Sequence, residues 1–373
     1  MKKKVFSFLI TGFCFFYFTA GVSAETVTLR LHCWKDYAVP YTDTFLEIVM
    51  AKYNRKIDIV VTNVFKPEEF WNVARGKKAD LISPAYNILK GRQSIFIKKK
   101  MVLPVNPENI PNYKYVLPFL QKNRFVTEDN QIYGVPYSMG AYGLAYNAEK
   151  VNAPESWGVL WQKNNRNRYT ISRYYPDCNI YITALTFGVD YRDLYDYDGL
   201  LKRVPLRKFQ AKLDTLSQYA FSMWDDMANH EEFDNLDYAT TWGYGVAMAN
   251  KNGGNWKIAT PKEGTTMWVD HWAITHSVKD DAFKKKLCEE WINYCLSPDR
   301  QVDVLRSWGA SPVVSNINDR LTKDEISTFH VGNSEYWSGL SLWESLSHNT
   351  TEGYKGLWRR AVNVRKGKGT KAK

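Results

Sequence analysis

Cysteine is scarce in this chain, and what little there is has no metal or redox spacing. There are five cysteines and six histidines in 373 residues, with no C-x-x-C and no Cys/His ligand pattern, which excludes zinc ribbons and thioredoxin-like couples. Cys288 and Cys295 fall two turns apart on one predicted helix, roughly 10 Å at about 1.5 Å per residue. That exceeds the Cα separation of about 4.4–6.8 Å that a disulfide tolerates. These two read as buried thiols on an apolar face, while a bridge between Cys33 and Cys178 stays open. The marks of common enzymes are missing as well: no G-x-S-x-G elbow, no H-E-x-x-H, no P-loop and no Rossmann glycine run. The histidines, His271 and His276 among them, are scattered. No catalytic residue, metal or cofactor is therefore expected. Beyond the N-terminus no apolar run is long enough to cross a bilayer, and neither an internal repeat nor a low-complexity stretch precedes the C-terminal tail.

What is present begins with an export signal. Lys2, Lys3 and Lys4 precede an apolar run from Val5 to about Ala20, and Val22-Ser23-Ala24 fits the small-x-small cleavage rule. Residues 1–24 are expected to be removed, leaving a mature chain that starts at Glu25. No cysteine follows the cleavage site to carry a lipid, so an unanchored periplasmic protein is expected. The formal charge of +11 is concentrated at the two ends, the tail 359–373 having seven basic residues and no acid. An exported chain has no nucleic acid to meet, and the tail reads as a solvated or disordered end.

The length suits about two domains. Val27, Leu29 and Leu31 alternate with polar residues in a first strand ending at His32-Cys33-Trp34. A helix over about 41–53, a strand from Ile57, a helix from Pro67 to Ala74 and a strand over 79–82 follow. This order signals α/β with a largely parallel sheet, in which ligands sit at the carboxyl ends of strands. Trp34, Tyr37 and the Ser83-Pro84-Ala85-Tyr86 turn occupy such ends. Two glycine-broken strands, 133–140 and 143–147, read as the crossing into a second lobe. That lobe is expected to hold a strand over 169–172, helices over 179–187 and 206–227, and a strand over 245–248. Phe283, Leu287, Trp291, Ile292 and Cys295 mark a helix over 281–296.

Aromatics are abundant at 15% of residues. One segment combines them with a charge. In Met267-Trp268-Val269-Asp270-His271-Trp272 an extended backbone sends residues i and i+2 to the same side, so Trp268 and Asp270 face one space. A ring face attracts a cation and a carboxylate accepts its N–H bonds, which suits an organic ammonium.

Together these landmarks resemble the periplasmic spermidine/putrescine-binding proteins over nearly the whole mature chain. The stretches that carry the resemblance are Tyr133-Gly134-Val135-Pro136-Tyr137 with Gly143-Leu144-Ala145-Tyr146-Asn147, Glu155-Ser156-Trp157 with Leu160-Trp161, Trp268-Val269-Asp270 with Ala273-Ile274, and Ile292-Asn293-Tyr294-Cys295-Leu296-Ser297-Pro298. The resemblance implies an α/β, two-lobe periplasmic binding protein of type II, with hinge strands and the ligand cleft between the lobes. It implies lobe 1 from 25–136 and 269–315, lobe 2 from 137–268 and 316–358, and a linear polyamine as ligand. An aromatic box of Trp34, Tyr37, Trp242 and Trp268 would enclose the methylene chain, with Asp270 gripping one ammonium. Glu344 falls where the family has a glutamine. Asp36, Tyr86, Tyr175 and Asp177 are further candidates, although the two acids usual in the second lobe are replaced here by Tyr174-Tyr175-Pro176-Asp177-Cys178-Asn179. The implied partner is an inner-membrane permease, or the membrane-bound cyclic-di-GMP sensor that some relatives inform of polyamines such as norspermidine. The alternative is a ferric-ion receptor of the same fold class, which would use adjacent tyrosines such as Tyr174 and Tyr175. Hard iron needs phenolate and carboxylate oxygens that a Trp/Asp box does not supply.

Overall fold

The computed structural model describes residues 26–89, 96–225 and 231–369; the expected export segment lies outside them. The first strand, Val27–Trp34, buries Leu29, Leu31 and Cys33 on one face. It pairs in parallel with Ile57–Val64 from Val27↔Ile57 to Trp34↔Val64, and with Leu81–Ile82 on its other edge. The intervening helices have local start and stop signals. Helix Thr42–Tyr53 ends on Asn54 in the left-handed region. Helix Pro67–Arg75 starts with proline, and Glu69 reaches back to the Lys66 N–H at 2.8 Å.

These strands form one side of a sheet whose order is Ser311–Pro312, Val135–Ala141, Thr266–Thr275, Leu81–Ile82, Val27–Trp34, Ile57–Val64. A second sheet runs Ser222–Trp224, Tyr169–Ser172, Tyr238–Thr241, Gly143–Asn147, Trp256–Ile258. The chain crosses between the sheets at Tyr142 and returns before Thr266. Strand-to-sheet membership thus changes a few residues from the expected lobe limits at 136/137 and 268/269. The two crossings are tied to each other: Tyr142 N–H donates to the Thr266 carbonyl at 3.0 Å, and Thr265 Oγ1 donates to the Tyr142 carbonyl at 2.7 Å. The buried Tyr142 hydroxyl donates to Asn179 Oδ1 at 2.8 Å and lies 2.9 Å from Thr240 Oγ1, anchoring the crossing in the second lobe.

Cys33 and Cys178 are buried free thiols and no bridge joins them. Several expectations are corrected. The helix expected over 206–227 stops at Tyr219, where Ala220 turns extended and Ser222–Trp224 adds a strand beside Tyr169–Ser172. The strand expected over 245–248 is instead part of helix Tyr244–Lys251, started by Gly243 with φ 104. The run of small apolar residues fits a helix flank as well as a strand, and periodicity over four residues cannot separate them. The tail is no free end through Gly369, because helix His348–Gly369 contains residues 359–369. Arg365 donates to the carbonyls of Ser217, at 2.7 Å, and Phe221, at 2.8 Å, closing the C-terminus of helix Leu206–Tyr219. Much of the aromatic surplus is core: Trp157, Trp224, Trp272 and Trp291 are fully buried.

Candidate functional site

Asp270 stands on the long return strand opposite Ser138 of Val135–Ala141, and the register slips by a bulge between Asp270 and His271. The bulge ends the plain alternation there, and the next residue, His271, donates its N–H to the Pro84 carbonyl at 3.0 Å. Ala85 bridges to Asp270 across the other edge. The carboxylate, only 6% exposed, accepts a 2.6 Å hydrogen bond from the Tyr37 hydroxyl. Tyr37 Oη also lies 3.1 Å from Ser138 Oγ, so the cross-strand neighbours Asp270 and Ser138 share one phenol. Burial pushes the Asp270 carboxyl up to about 7, against the opposing hydrogen bonds from Tyr37 and Trp34.

The other buried acids show what is unusual about this one. Among the described residues Asp80, Asp237, Asp270 and Glu289 are the buried carboxylates. Asp80 pairs with Arg30 at 2.6 Å, Asp237 pairs with Arg168, and Glu289 has Lys285 at 3.9 Å. Hydrogen bonding to Arg30, by its side chain and backbone, and to Ser277 holds Asp80 below the usual carboxylate range despite its burial. Asp270 differs from these three in having only neutral partners: no cationic side chain among the described residues pairs with it. A desolvated carboxylate without a counter-charge costs several kcal/mol, and a cation brought by a ligand would remove that cost.

Tyr37 and Trp34 bond Asp270, and further aromatic side chains pack on these two. Tyr37 stacks on Trp308 with centroids 4.8 Å apart and meets Tyr137 edge-on at 5.3 Å. Arg300 Nη2 donates to the Tyr137 hydroxyl at 2.9 Å, and Gln301 Nε2 donates to the Tyr137 carbonyl at 2.9 Å, which fixes this stack from behind. Trp34, at the carboxyl end of its strand, packs edge-on to Phe70 at 4.9 Å. Trp268 lies flat on Gly140 of the neighbouring strand. A Cβ at Gly140 would come within 2.6 Å of the indole, so glycine there is what lets the ring lie across the hinge. In the second lobe Trp242 contacts Tyr142 at 5.0 Å, Tyr175 at 4.9 Å and Trp343 at 5.6 Å.

The two aromatic groups meet across one backbone contact. Gly243 follows Trp242, and Gly309 follows Trp308 at the end of helix Pro298–Trp308. Both have positive φ, and a Cβ on Gly243 would sit 1.9 Å from the Gly309 carbonyl oxygen. Trp242 and Trp308 therefore flank the point where the lobes touch.

The remaining candidates are less central. Glu344 is engaged by Arg124, whose Nη2 is 2.7 Å from Oε1. Asp36 is exposed, with φ 66 in the turn that brings Tyr37 N–H to the Trp34 carbonyl at 3.2 Å, so it shapes the turn. Tyr86 is buried against His271 at 4.8 Å and Phe125 at 5.0 Å. Its hydroxyl has no partner among the described residues, and desolvation raises its pKa. Asp177 lies in the first turn of helix Pro176–Leu185, and burial raises its pKa against hydrogen bonds from the Asp177 and Cys178 backbone and from Tyr181. Tyr174 is 69% exposed while Tyr175 packs on Trp242. Sequence reading missed Trp308, Ser138, Arg124 and Trp343. Ser138 was within reach, since it lies on a strand recognised as a crossing. Trp308 and Arg124 gave no signal because their neighbours come from distant segments.

A two-lobed receptor for a small solute is the class of protein this fold defines. Residues 76–339 match the family model of the bacterial extracellular solute-binding proteins, and the chain belongs to that family. It is a binding protein and not an enzyme. It is similar to the putrescine-binding periplasmic protein PotF of Escherichia coli K12, 26% identical over 328 residues, with 80% of this chain and 81% of the relative covered. It is also similar to the spermidine/putrescine-binding periplasmic protein of Salmonella typhimurium, 22% identical over 319 residues, covering 83% and 84%. Among solved structures, the spermidine/putrescine ABC transporter substrate-binding protein PotD of Streptococcus pneumoniae superposes with a TM-score of 0.72 at 19% identity, covering 91% of this chain and 99% of that one. The Atu4243-GABA receptor has the same fold at a TM-score of 0.63 and 14% identity, over 91% and 97% of the two chains. The fold is thus shared by receptors with unlike ligands. No helix among the described residues is long and apolar enough to cross a membrane.

Proposed function

We propose that the protein is a periplasmic receptor for a linear polyamine, which it presents to a membrane partner, the permease of an ABC importer. The observation that carries this is Asp270, a buried carboxylate that has only neutral partners and is hydrogen-bonded by Tyr37 and Trp34, with Trp268 two residues away on the same strand. An ammonium group completes such a site, because the charge-assisted bond offsets the cost of the buried charge. Ring faces over the cation and its methylenes add about 0.5–2 kcal/mol each. The relatives named for putrescine and spermidine binding support the same ligand class. Iron fits less well: Tyr174 is largely exposed while Tyr175 is packed edge-on to Trp242.

Calorimetric titration of unfolded and refolded protein, freed of any copurified ligand, against putrescine, spermidine, norspermidine and spermine tests the proposal. Saturable 1:1 binding of at least one of them is expected. No heat with any of the four, from protein that melts cooperatively, would overturn it.

A further inference from the structure

Arg124 pairs with Glu344 beside the strand that carries Trp268 and Asp270, and the chain geometry explains how. Strand Thr266–Thr275 has Ser341–Leu342 on its second edge in parallel, with Thr266↔Ser341 and Met267↔Leu342 in register. Trp343 continues this ladder by donating its N–H to the Met267 carbonyl at 3.0 Å. The next partner along the same edge is Ala85, opposite Asp270. Glu344 therefore leaves the ladder beside the Trp268–Asp270 segment, and Ser345 Oγ donates to the Asn87 carbonyl, two residues beyond Ala85. Glu344 is the carboxylate next to the aromatic site on this side. Just before it in the chain, the Leu342 carbonyl accepts from the Tyr195 hydroxyl at 3.0 Å, so Glu344 is a second carboxylate along this edge, apart from Asp270.

That carboxylate is already engaged. Arg124, from the first lobe, lies over the Phe125 ring at 4.7 Å and puts Nη2 2.7 Å from Glu344 Oε1. The guanidinium is 74% exposed and the carboxylate 32% exposed, so the pair is of the weak, solvent-screened kind. We propose that Arg124 is a specificity residue, an internal cation that occupies Glu344 and restricts how many ammonium groups the site accepts. This rests on the polyamine reading of the same site. A ligand cation approaching Glu344 meets the like charge of Arg124 and competes with it for the carboxylate. The discrimination therefore acts on cation count, leaving the grip at Asp270 unchanged.

A double-mutant cycle with spermidine as the probe tests this. Arg124→Gln is expected to tighten spermidine binding roughly three- to tenfold, in line with the modest strength of exposed ion pairs. The same change made in a Glu344→Gln background is expected to alter affinity less than about twofold, because there is no carboxylate left to release. Arg124→Lys keeps the competing charge and should stay near the parent. If Arg124→Gln weakens spermidine binding, leaves it unchanged, or acts equally in both backgrounds, the assignment is overturned. A parent protein that binds none of the four polyamines would overturn the functional reading itself, a result distinct from normal binding with a flat cycle.

Discussion

At the scale of single residues, the burial of Asp270 has a pH signature. A folded-state pKa pushed up to about 7 means that the native protein holds a proton which the unfolded chain has already released. Stability attributable to this group is then greatest below the ordinary carboxyl range of about 3.9 and is lost as pH rises toward 7. The loss is of the order of 4 kcal/mol, at about 1.4 kcal/mol per pH unit. Asp270→Asn should accordingly raise the unliganded melting temperature at pH 8, with a smaller gain at pH 5. A gain that grows toward pH 5 would contradict this. An incoming ammonium requires the ionised form, so polyamine affinity should fall below pH 7 by up to about tenfold per unit and level off above it. Titrations at pH 5.5 and 8 check that. Trp268→Ala should remove most of the ligand-induced tryptophan fluorescence change in a cooperatively folding protein. A full-sized change would assign the signal to Trp34, Trp242 or Trp308. That Trp268 and Asp270 share one strand could be seen in sequence, since strand patterning is local. The absence of a counter-ion could not, because it depends on every segment that packs nearby.

Elements with strong local signals agreed with expectation. Helix Ala282–Cys295 has its apolar stripe and an Asp281 cap accepting from Lys284 N–H at 2.9 Å. Strand Tyr169–Ser172 has buried residues throughout. The failures are where tertiary context chose the form. Helix Tyr244–Lys251 starts on Gly243 because that residue's positive φ turns the chain away from strand Tyr238–Thr241 against Gly309. This glycine contact gives an element-scale prediction. Gly309→Ala puts a Cβ 2.2 Å from the Gly243 carbonyl oxygen at a residue with φ 61. The left-handed backbone alone disfavours alanine by about 1–2 kcal/mol, and the overlap adds to it by forcing two helix ends apart. The variant should melt several degrees lower and bind polyamine more weakly. Parent-like melting together with parent-like affinity would show that the two helix ends have room to separate without consequence.

For the whole molecule, the order of elements already announced two α/β lobes joined by crossings, since strand–helix alternation and the glycine-broken pair around Tyr142 are local features. Less legible was how the lobes meet. The aromatic residues fall in two groups, Tyr37 stacked on Trp308 and Trp242 packed with Tyr175 and Trp343, with Trp268 on the crossing strand. The ion pair between Arg124 and Glu344 and the Gly243–Gly309 contact join segments more than 60 residues apart, which no periodicity reveals. On the proposed reading a cation at Asp270 bonds the carboxylate beside Tyr37 and Trp34, and excluding water would strengthen that bond. Calorimetric titration of Asp270→Asn against the polyamine that the parent binds best tests that most directly. Asparagine keeps the size and the hydrogen-bonding capacity, so the variant removes the charge alone. Loss of one member of a desolvated charge pair typically costs about 3–5 kcal/mol, so affinity should fall by two to four decades while melting remains cooperative. Affinity within about threefold of the parent, less than 1 kcal/mol, would mean that the ammonium is held elsewhere.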